Sequence, residues 1–308
     1  MTDDTPLVSV IIPTYYRDET LRAAIESVQR QTHKPIEIIV VDDSGERYAA
    51  DIVTDLDVRY VAHQTNRGGN PARTTGFERS NGRYVQFLDD DDRLYERKIE
   101  RQIAVVEAAD DIGVVYCNLH YETDKTQPAC DHRGDVLYPA LQFDLNPCQT
   151  GTMLIAREVL HDLMPLANRA AADDIGLKIR LAERTRFDYV DEALFWKGDT
   201  GNHRADTAAF ADELEKMIRS DHAQLYAAAP DYVRDRALYK MHRFRGFKTL
   251  ANTRWSWQAI VAFGAALRYT HHTDLTDFAT FALSLLGAPG LSLGGSVRNG
   301  LANLFGRA

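Results

Sequence analysis

Hydrophobic positions along the first 120 residues follow two alternating patterns. Short, fully apolar runs rich in Val and Ile alternate with longer segments in which apolar residues recur every three or four positions. The short runs predict buried strands, and the longer segments predict amphipathic helices. Because fully apolar strands that alternate with helices are typical of sheets covered on both faces, the pattern predicts a mainly parallel α/β sheet. The predicted strands are 7–12, 36–41, 58–62, 84–88 and 114–117, and helices are predicted after Asp18, over 72–80 and around 99–106.

The rest of the chain changes character near residue 208. Up to that point short strands are predicted at 151–156 and 187–190, with a helix over 173–184 between them. From Phe210 to about Leu286 the periodicity is helical. We therefore predict an α/β catalytic domain over 1–207 and a helical region over 208–308.

Polar side chains follow three of the predicted strands at the point where each strand ends. Thr14 and Tyr15 follow the first strand, and Asp42 and Asp43 follow the second. The aspartates of 89–92 follow the strand 84–88. In open α/β sheets ligands bind beyond the carboxyl ends of the strands. The sequence therefore predicts one polar crevice at this edge of the sheet.

The run of four aspartates indicates a cation site. Adjacent carboxylates raise one another's pKa unless a cation lies between them. Carboxylate oxygens suit a hard divalent ion, so Mg²⁺ or Mn²⁺ is expected, held by one or two carboxylates and by phosphates. A solvated acidic loop or a helix amino terminus is the alternative. An EF-hand calcium loop is a poor match, because Arg93 and Leu94 occupy positions that need an oxygen ligand and a glycine.

Taken together, these segments resemble the family 2 glycosyltransferases that have the GT-A fold. The resemblance covers roughly residues 7–200, and its motifs come in the family's order. The family often has Asn where this chain has Tyr16 and Thr74. The segments that carry it are Val8-Ser-Val-Ile-Ile-Pro-Thr-Tyr15, Gln31-Thr32, Ile39-Val-Val-Asp-Asp-Ser44, Asn66-Arg-Gly68 with Ala72-Arg73 and Gly76, and Phe87-Leu-Asp-Asp-Asp-Asp92, which is similar to the DXD motif.

The resemblance implies a nucleotide-diphospho-sugar transferase fold with a helical C-terminal extension, and it implies roles for single residues. Pro13, Tyr15 and Asp43 match residues that hold the nucleotide base and ribose. Asp91 matches the direct ligand of Mn²⁺ or Mg²⁺. The other donor-side positions are Asp89 and Asp90 toward the ribose, the sugar or the metal, and Arg73 near the donor.

An inverting sugar transfer also needs a general base for the acceptor hydroxyl. Asp173-Asp174-Ile-Gly-Leu177-Lys-Ile-Arg180 resembles the family's acidic pair ahead of a helix, with Asp173 in place of Glu. Asp174 then matches the base. A helix cap is the alternative interpretation of the same pair. His203 is a candidate for a late metal ligand or an acceptor contact.

Charge is distributed unevenly along the 308 residues. The net charge of −9 divides into −16 for residues 1–233 and +7 for residues 234–308. The acidic excess argues against nucleic acid as the main partner, because phosphate contacts need a basic face. The acidic N-terminus lacks the pattern of a signal peptide, and the three cysteines lack metal or redox spacing, so a cytoplasmic protein is expected.

The basic C-terminal region suggests a membrane surface. Residues 278–297 carry no charge, but Gly287 and Pro289 interrupt them, so we expect an interfacial helix or shallow hairpin rather than a transmembrane span. Trp255 and Trp257 would lie at the boundary, with basic residues toward anionic lipid. A helical cap that packs on the catalytic domain is the alternative.

These observations predict a metal-dependent, inverting glycosyltransferase at the cytoplasmic face of a membrane. The donor would be a UDP- or GDP-linked hexose-type sugar, and the acceptor a growing surface glycan or a lipid-linked acceptor. A sugar nucleotidyltransferase should carry a G-x-G-x-R loop where this chain has Pro13-Thr-Tyr-Tyr16. A non-catalytic scaffold that binds nucleotide sugars would keep the fold and lose the base.

Overall fold

The computed structural model describes residues 5–122, 126–127, 132–198, 208–270 and 275–292. Contacts divide the described residues into two compact units. The first draws its residues from 1–140, 144–169 and 173–202, and the second from 141–143, 170–172 and 203–308. The predicted boundary between 207 and 208 borders residues outside the described set and stays a prediction.

The described strands of the first unit form one mixed sheet. Their bounds are β1 (Val8–Thr14), β2 (Ile36–Asp42), β3 (Arg59–Ala62), β4 (Tyr84–Phe87), β5 (Arg93–Leu94), β6 (Ile112–Tyr121), β7 (Thr126–Gln127), β8 (Leu154–Ala156) and β9 (Arg186–Lys197). Their order is β3-β2-β1-β4-β8-β6-β9-β5, with β7 paired to β6. Strands β1 to β4 pair in parallel, β8 is antiparallel to β4 and β6, and β9 is parallel to β6. The carboxyl ends of β1, β2, β4 and β9 therefore lie at the same edge.

Helices connect these strands. Asp18 caps the first of them as predicted, because its Oδ1 accepts a hydrogen bond of 2.7 Å from the backbone N–H of Glu19. Leu21, Ile25 and Val28 form the predicted buried face of that helix. The helices through residue 182 are α1 (Glu19–Gln29), α2 (Ala50–Val53), α3 (Gly69–Glu78), α4 (Lys98–Val106), α5 (Leu137–Leu141), α6 (Arg157–His161) and α7 (Asp173–Ala182).

The core lies between the sheet and its helices. Ile11, Ile39 and Phe87 of the central strands are fully buried, and each such side chain contributes about 1.5–3 kcal/mol by burial. Helix α3 approaches the sheet very closely, since a Cβ atom on Gly76 would lie 2.3 Å from Cγ2 of Ile11. Cys117 and Cys148 are buried, and Cys130 lies outside the described residues.

Several elements differ from the predicted ones. The pattern indicated neither the four-residue helix α2 nor the two-residue strand β5, because both are too short to show a period. Strands β6 and β9 are longer than predicted, at 10 and 12 residues. Polar residues such as Asn118 and Glu192 interrupt their apolar runs, and the β6–β9 register shifts near Asn118. Helix α3 begins at Gly69, three residues before its predicted start.

The second unit is helical. It contains α8 (Ala208–Lys216), a π-helical turn (Met217–Asp221), α9 (Ala223–Ala228), α10 (Asp231–Asn252), α11 (Trp257–Leu267) and α12 (Leu275–Ser284). Helix α12 ends before Gly287, whose φ of +72° interrupts the helical backbone as predicted. Within the described parts of the chain, no helix has the combination of length and apolar character that crossing a bilayer requires. Residues 293–297 of the uncharged stretch lie outside those parts.

Basic residues of α10 are paired within this unit. Arg245 donates to Asp212 and Glu215, at 2.9 Å each. Arg243 is bonded to the buried carboxylate of Asp277. These cations therefore stabilise the helical unit itself.

Candidate active site

Segments that follow three parallel strands meet at the carboxyl edge of the sheet. After β1, the carbonyl of Thr14 accepts a hydrogen bond of 2.9 Å from the N–H of Asp43, which follows β2. The N–H of Tyr15 donates to Oδ2 of Asp90, which follows β4, at 3.3 Å. The polar residues that the sequence placed at strand ends are thus brought together.

The aspartate run forms a turn rather than a continuation of β4. The N–H of Asp92 donates to the carbonyl of Asp89 at 3.1 Å. The turn brings carboxylate oxygens of Asp89, Asp91 and Asp92 within 4.8 Å of one another, while Asp90 is bonded to the segment after β1.

Lys197 places a positive charge beside this turn. Its Nζ lies 2.9 Å from Oδ2 of Asp92 and 3.9 Å from Oδ2 of Asp89. Burial alone would lower the pKa of Lys197, but the carboxylates of Asp92, Asp89 and Asp91 raise it well above its usual value, so the ammonium stays charged. The sequence analysis missed Lys197, because the strand predicted over 187–190 ended seven residues before it, whereas β9 continues to Lys197.

Asp92 is the most enclosed of the four aspartates, with a side chain 2% exposed. Its second oxygen accepts a hydrogen bond of 3.0 Å from the N–H of Gly198. A Cβ atom on Gly198 would lie 2.2 Å from the carbonyl oxygen of Asp91, so only glycine fits against the turn. Lys197 and Gly198 together hold the turn in place from β9.

Asp90 has an environment of its own. Burial is the main cause that raises its pKa to about 6, and the charges of Asp91 and Asp89 raise it further. The guanidinium Nε of Arg17 lies 3.9 Å from its Oδ1. Asp90 therefore contacts the segment that follows β1.

Arg73 of α3 also contacts the aspartate turn. Its Nη2 is bonded to Oδ1 of Asp89. The residue is 6% exposed, and its buried Nε has no hydrogen-bond partner in the described part of the molecule. An unpartnered buried donor is costly, so this N–H fits a ligand oxygen in the crevice.

The donor atoms of the turn fit a hard divalent cation. Asp89, Asp91 and Asp92 offer carboxylate oxygens, which Mg²⁺ and Mn²⁺ prefer. Asp92 was not among the predicted ligands, although it belongs to the same run. Since both of its oxygens already accept hydrogen bonds, we expect Asp91 and Asp89 to contribute more. His203 lies outside the described residues.

Asp42 and Asp43 both accept several hydrogen bonds from the protein. Asp42 accepts from the N–H of Ser44 and Ala49 and from the hydroxyl of Tyr60. Burial would raise the pKa of Asp42, but these donors lower it below its usual value. Asp42 therefore shapes the loop after β2, which was not foreseen from its strand-end position.

Asp43 organises the loop that precedes α3. Its Oδ1 contacts Nδ1 of His63 at 2.6 Å and accepts from the N–H of Arg67 at 2.9 Å. Its Oδ2 accepts from the N–H of Gly68 at 2.7 Å. The sequence reasoning missed His63, whose Nε2 lies 2.9 Å from the hydroxyl of Thr75. Its position directly after β3 was the available signal.

Exposed tyrosines lie at the mouth of the crevice. Tyr15 is 51% exposed and packs edge to face on Tyr16, and Tyr16 packs on Tyr48. Tyr16 has a φ of +53°, a left-handed conformation that Asn adopts more readily than Tyr. That conformation accounts for the family's frequent Asn at this position. Pro13, also predicted to contact the nucleotide, is the register partner of Val41 just inside the sheet.

The predicted acidic pair begins α7. Asp173 accepts hydrogen bonds of 3.1 Å from the side-chain amide of Asn70 and from the N–H of Arg169. Asp174 is partly exposed, and its Oδ2 lies 3.5 Å from Nζ of Lys178. Lys178 is nearly buried and also donates to the carbonyl of Leu145 at 3.1 Å. The two aspartates thus differ, since Asp173 holds the loop before α7 and Asp174 has a cationic neighbour.

The fold and this crevice define a GT-A type sugar-nucleotide transferase architecture, and comparison with known proteins agrees. Residues 9–163, about half of the chain, match Glycosyl transferase family 2, and the chain belongs to this family. The predicted GT-A fold is confirmed by solved structures of similar fold. A mannosyltransferase from Pyrobaculum calidifontis, solved with GDP-Man and Mn²⁺, is 19% identical with a TM-score of 0.59, over 97% of this chain and 87% of that one.

The chain is also similar to another solved structure and to two curated glycosyltransferases. TarS 1–349 of S. aureus is 15% identical with a TM-score of 0.58, over 86% of this chain and 81% of that one. An uncharacterized glycosyltransferase of Nostoc sp. is 33% identical over 176 residues, which are 52% of this chain and 53% of the relative. The putative glycosyltransferase EpsH of Bacillus subtilis is 32% identical over 132 residues, 42% of this chain and 38% of the relative. The chain spans between 15% and 53% of the length of the curated relatives it matches.

Proposed function

We propose that this chain is an inverting, metal-dependent glycosyltransferase that moves a hexose-type sugar from a UDP- or GDP-linked donor to a growing surface glycan. The observation that carries the proposal is the crevice itself. Three carboxylates within 4.8 Å, two neighbouring cations and the unpartnered Nε of Arg73 converge beyond the ends of parallel strands. These groups suit a charged diphosphate and its cation better than a neutral ligand.

In the proposed reaction, the acceptor hydroxyl oxygen attacks the anomeric carbon from the face opposite the diphosphate. The bond between this carbon and the diphosphate oxygen breaks, and its electron pair leaves with the diphosphate. Asp174, whose Oδ2 lies 3.5 Å from Nζ of Lys178, takes the hydroxyl proton. A divalent cation, when bound, would stabilise the negative charge that develops on the diphosphate.

The remaining residues serve binding in this proposal. Tyr15 offers an exposed ring to the nucleotide base, next to Pro13 and the loop that Asp42 and Asp43 shape. Arg73 orients Asp89 and offers Nε to a donor oxygen. Thr14, Asp90 and Asp91 complete the donor side, and His203 remains a proposed metal ligand or acceptor contact.

The acceptor is proposed to be a glycan on a membrane, with a lipid-phosphate carrier as one form of it. Two solved relatives bind sugar nucleotides, UDP-GlcNAc in TarS and GDP-Man in the mannosyltransferase, and this supports a nucleotide-sugar donor. Exposed tryptophans of the second unit support peripheral attachment at the cytoplasmic face of the membrane.

Calorimetric titration of UDP and of GDP, each with and without Mn²⁺, tests the donor site without knowledge of the acceptor. We expect one nucleotide to bind in a Mn²⁺-dependent manner. Asp91→Asn should weaken that binding by on the order of 100-fold, because it removes a charged oxygen from the cation site. The control is Asp57→Asn, an exposed aspartate outside the crevice.

The outcomes separate the rival functions. Binding that Asp91→Asn weakens and Asp57→Asn leaves unchanged supports the donor site. If folded wild-type protein binds neither nucleotide at low or high salt, the transferase proposal is wrong. If the nucleotide binds but Asp174→Asn leaves sugar transfer unchanged, Asp174 is not the base. If Asp174→Asn abolishes sugar transfer and leaves nucleotide binding unchanged, the result supports Asp174 as the base.

A further inference from the structure

Asn70, in the first turn of α3, forms hydrogen bonds both to Arg73, beside the aspartate turn, and to Asp173, at the start of α7. Its side chain is buried, with the residue only 6% exposed. The amide nitrogen Nδ2 donates to Oδ1 of Asp173 at 3.1 Å and to the carbonyl of Ala167 at 2.6 Å. The amide oxygen Oδ1 accepts from Nη1 of Arg73 at 3.0 Å. One side chain therefore contacts both the start of α7 and the arginine of the donor side.

The connection continues to the aspartate turn. Arg73 uses Nη1 for Asn70 and Nη2 for Asp89. Four side chains, those of Asp173, Asn70, Arg73 and Asp89, thus form a continuous hydrogen-bonded series. The series begins one residue before Asp174 and ends within the proposed cation site.

The chemistry of the series requires an amide at its centre. A guanidinium only donates hydrogen bonds, and an ionised carboxylate only accepts them. The residue between Arg73 and Asp173 must therefore accept on one side and donate on the other. Asp at position 70 would satisfy Arg73 but would face Asp173 and the carbonyl of Ala167 with a second acceptor. An aliphatic residue would satisfy neither side.

A second contact from α3 provides a natural comparison. The hydroxyl of Thr74 donates to the carbonyl of Asn70 at 2.9 Å and accepts from the N–H of Leu166 at 3.1 Å. Thr74 is as buried as Asn70 and holds the same loop. It has no hydrogen bond to Arg73 or Asp173 among the described contacts, so it anchors the loop without joining the series.

We propose that Asn70 is a positioning residue that keeps the start of α7, and with it Asp174, in register with Arg73 and Asp89. The inference rests on the proposed function and deepens it. Asn70 does not touch the reacting atoms, and it acts through Asp173 and Arg73. Its role matters because a misplacement of about 1 Å in a reacting geometry can cost on the order of 100-fold in rate.

Hydrogen exchange of the full chain tests this role without an acceptor. In wild type, binding of UDP or GDP with Mn²⁺ should slow amide exchange in residues 173–178 by about tenfold. A tenfold effect is within the usual range for the coupling between two sites of one protein. Asn70→Asp should keep nucleotide affinity within about threefold, since Arg73 retains its acceptor, and should abolish this slowing. Asn70→Ala should weaken nucleotide binding as well, because Arg73 then loses a partner.

Thr74→Val is the matched control. It should speed exchange at 165–167 and leave the nucleotide-dependent slowing at 173–178 intact. Thermal unfolding of each variant shows whether it is folded. If Asn70→Asp binds nucleotide and still slows exchange at 173–178 as wild type does, the inference is overturned.

A failure of the proposed function gives a different result. In that case wild type binds neither nucleotide. The hydrogen bond between Asn70 and Asp173 is then tested by hydrogen exchange of the variants without nucleotide. Asn70→Asp should then speed exchange at 173–178 by at least about tenfold over Thr74→Val, as expected for a loosened helix start. Equal exchange in the two variants would show that Asn70 does not position α7.

Discussion

Among single residues, Lys197 places a positive charge 2.9 Å from the buried carboxylate of Asp92. We predict that Lys197→Met lowers the free energy of unfolding of the metal-free protein by about 3 kcal/mol, because it leaves Asp92 buried without its cation. The same change should strengthen Mn²⁺ binding by about tenfold, since the ion no longer competes with an ammonium. Thermal unfolding with EDTA and titration of free Mn²⁺ by electron paramagnetic resonance measure both effects.

Lys34→Met is the control, because Lys34 is exposed and its ammonium donates to the carbonyl of Gln29, away from the aspartate turn. It should leave stability and Mn²⁺ affinity close to wild type. Unchanged Mn²⁺ affinity in Lys197→Met would show that Lys197 does not balance the charge of the turn.

Residue-level prediction from sequence succeeded where a motif and a strand end coincide. Thr14, Asp43 and Asp90 could be placed near one another because each follows a predicted strand. Lys197 and Asn70 could not be placed there, since their positions depend on β9 returning to the same edge and on the contact of α3 with Ala167. Contacts between residues about 100 positions apart leave no local pattern.

At the level of elements, the position of α3 depends on Gly76. We predict that Gly76→Ala destabilises the protein by about 1–3 kcal/mol, because the added methyl group would overlap Ile11 and press on Val41. Denaturant unfolding measures the change. Glu78→Ala, on the exposed face of the same helix, should change stability by less than about 0.5 kcal/mol. Equal stabilities for the two variants would contradict this account of the packing.

Element prediction followed the strength of the local pattern. Strands β1 and β2 were found because they are fully apolar, as strands buried on both faces must be. Strands β6 and β9 were found but shortened, since polar residues such as Asn118 and Glu192 interrupt their apolar runs. Their pairing and register come from tertiary contacts, which a single sequence does not display.

At the level of the whole molecule, exposed apolar residues of the second unit form the surface that we propose to contact a membrane. Trp255 and Trp257 are 54% and 64% exposed, and Nε1 of Trp255 donates to the carbonyl of Leu285. Leu285 and Leu286 are also exposed, at 50% and 64%. Arg254 adjoins them without an ion pair among the described residues. We call residues 254–257 with 285–286 the tryptophan tip.

We predict that the full chain cosediments with vesicles of phosphatidylglycerol more than with neutral phosphatidylcholine vesicles, and less at high salt. Trp255→Ala with Trp257→Ala should reduce binding by at least about tenfold, as expected for the loss of two inserted indole rings. Tyr232→Ala, which removes an exposed ring at the start of α10, should bind like wild type. Equal binding by all three proteins would exclude the tryptophan tip as the membrane contact.

The hydrogen-bonded series from Asp173 to Asp89 has a thermodynamic consequence. If nucleotide binding at one end stiffens the start of α7, it changes the affinity of a molecule that binds against α7 by some factor. Because linkage between two binding equilibria is reciprocal, that molecule must change the affinity of the nucleotide by the same factor. Acceptor glycans could therefore be screened with the spent nucleotide alone. An acceptor that binds against α7 would change the measured Kd of UDP or GDP, even though no sugar is transferred.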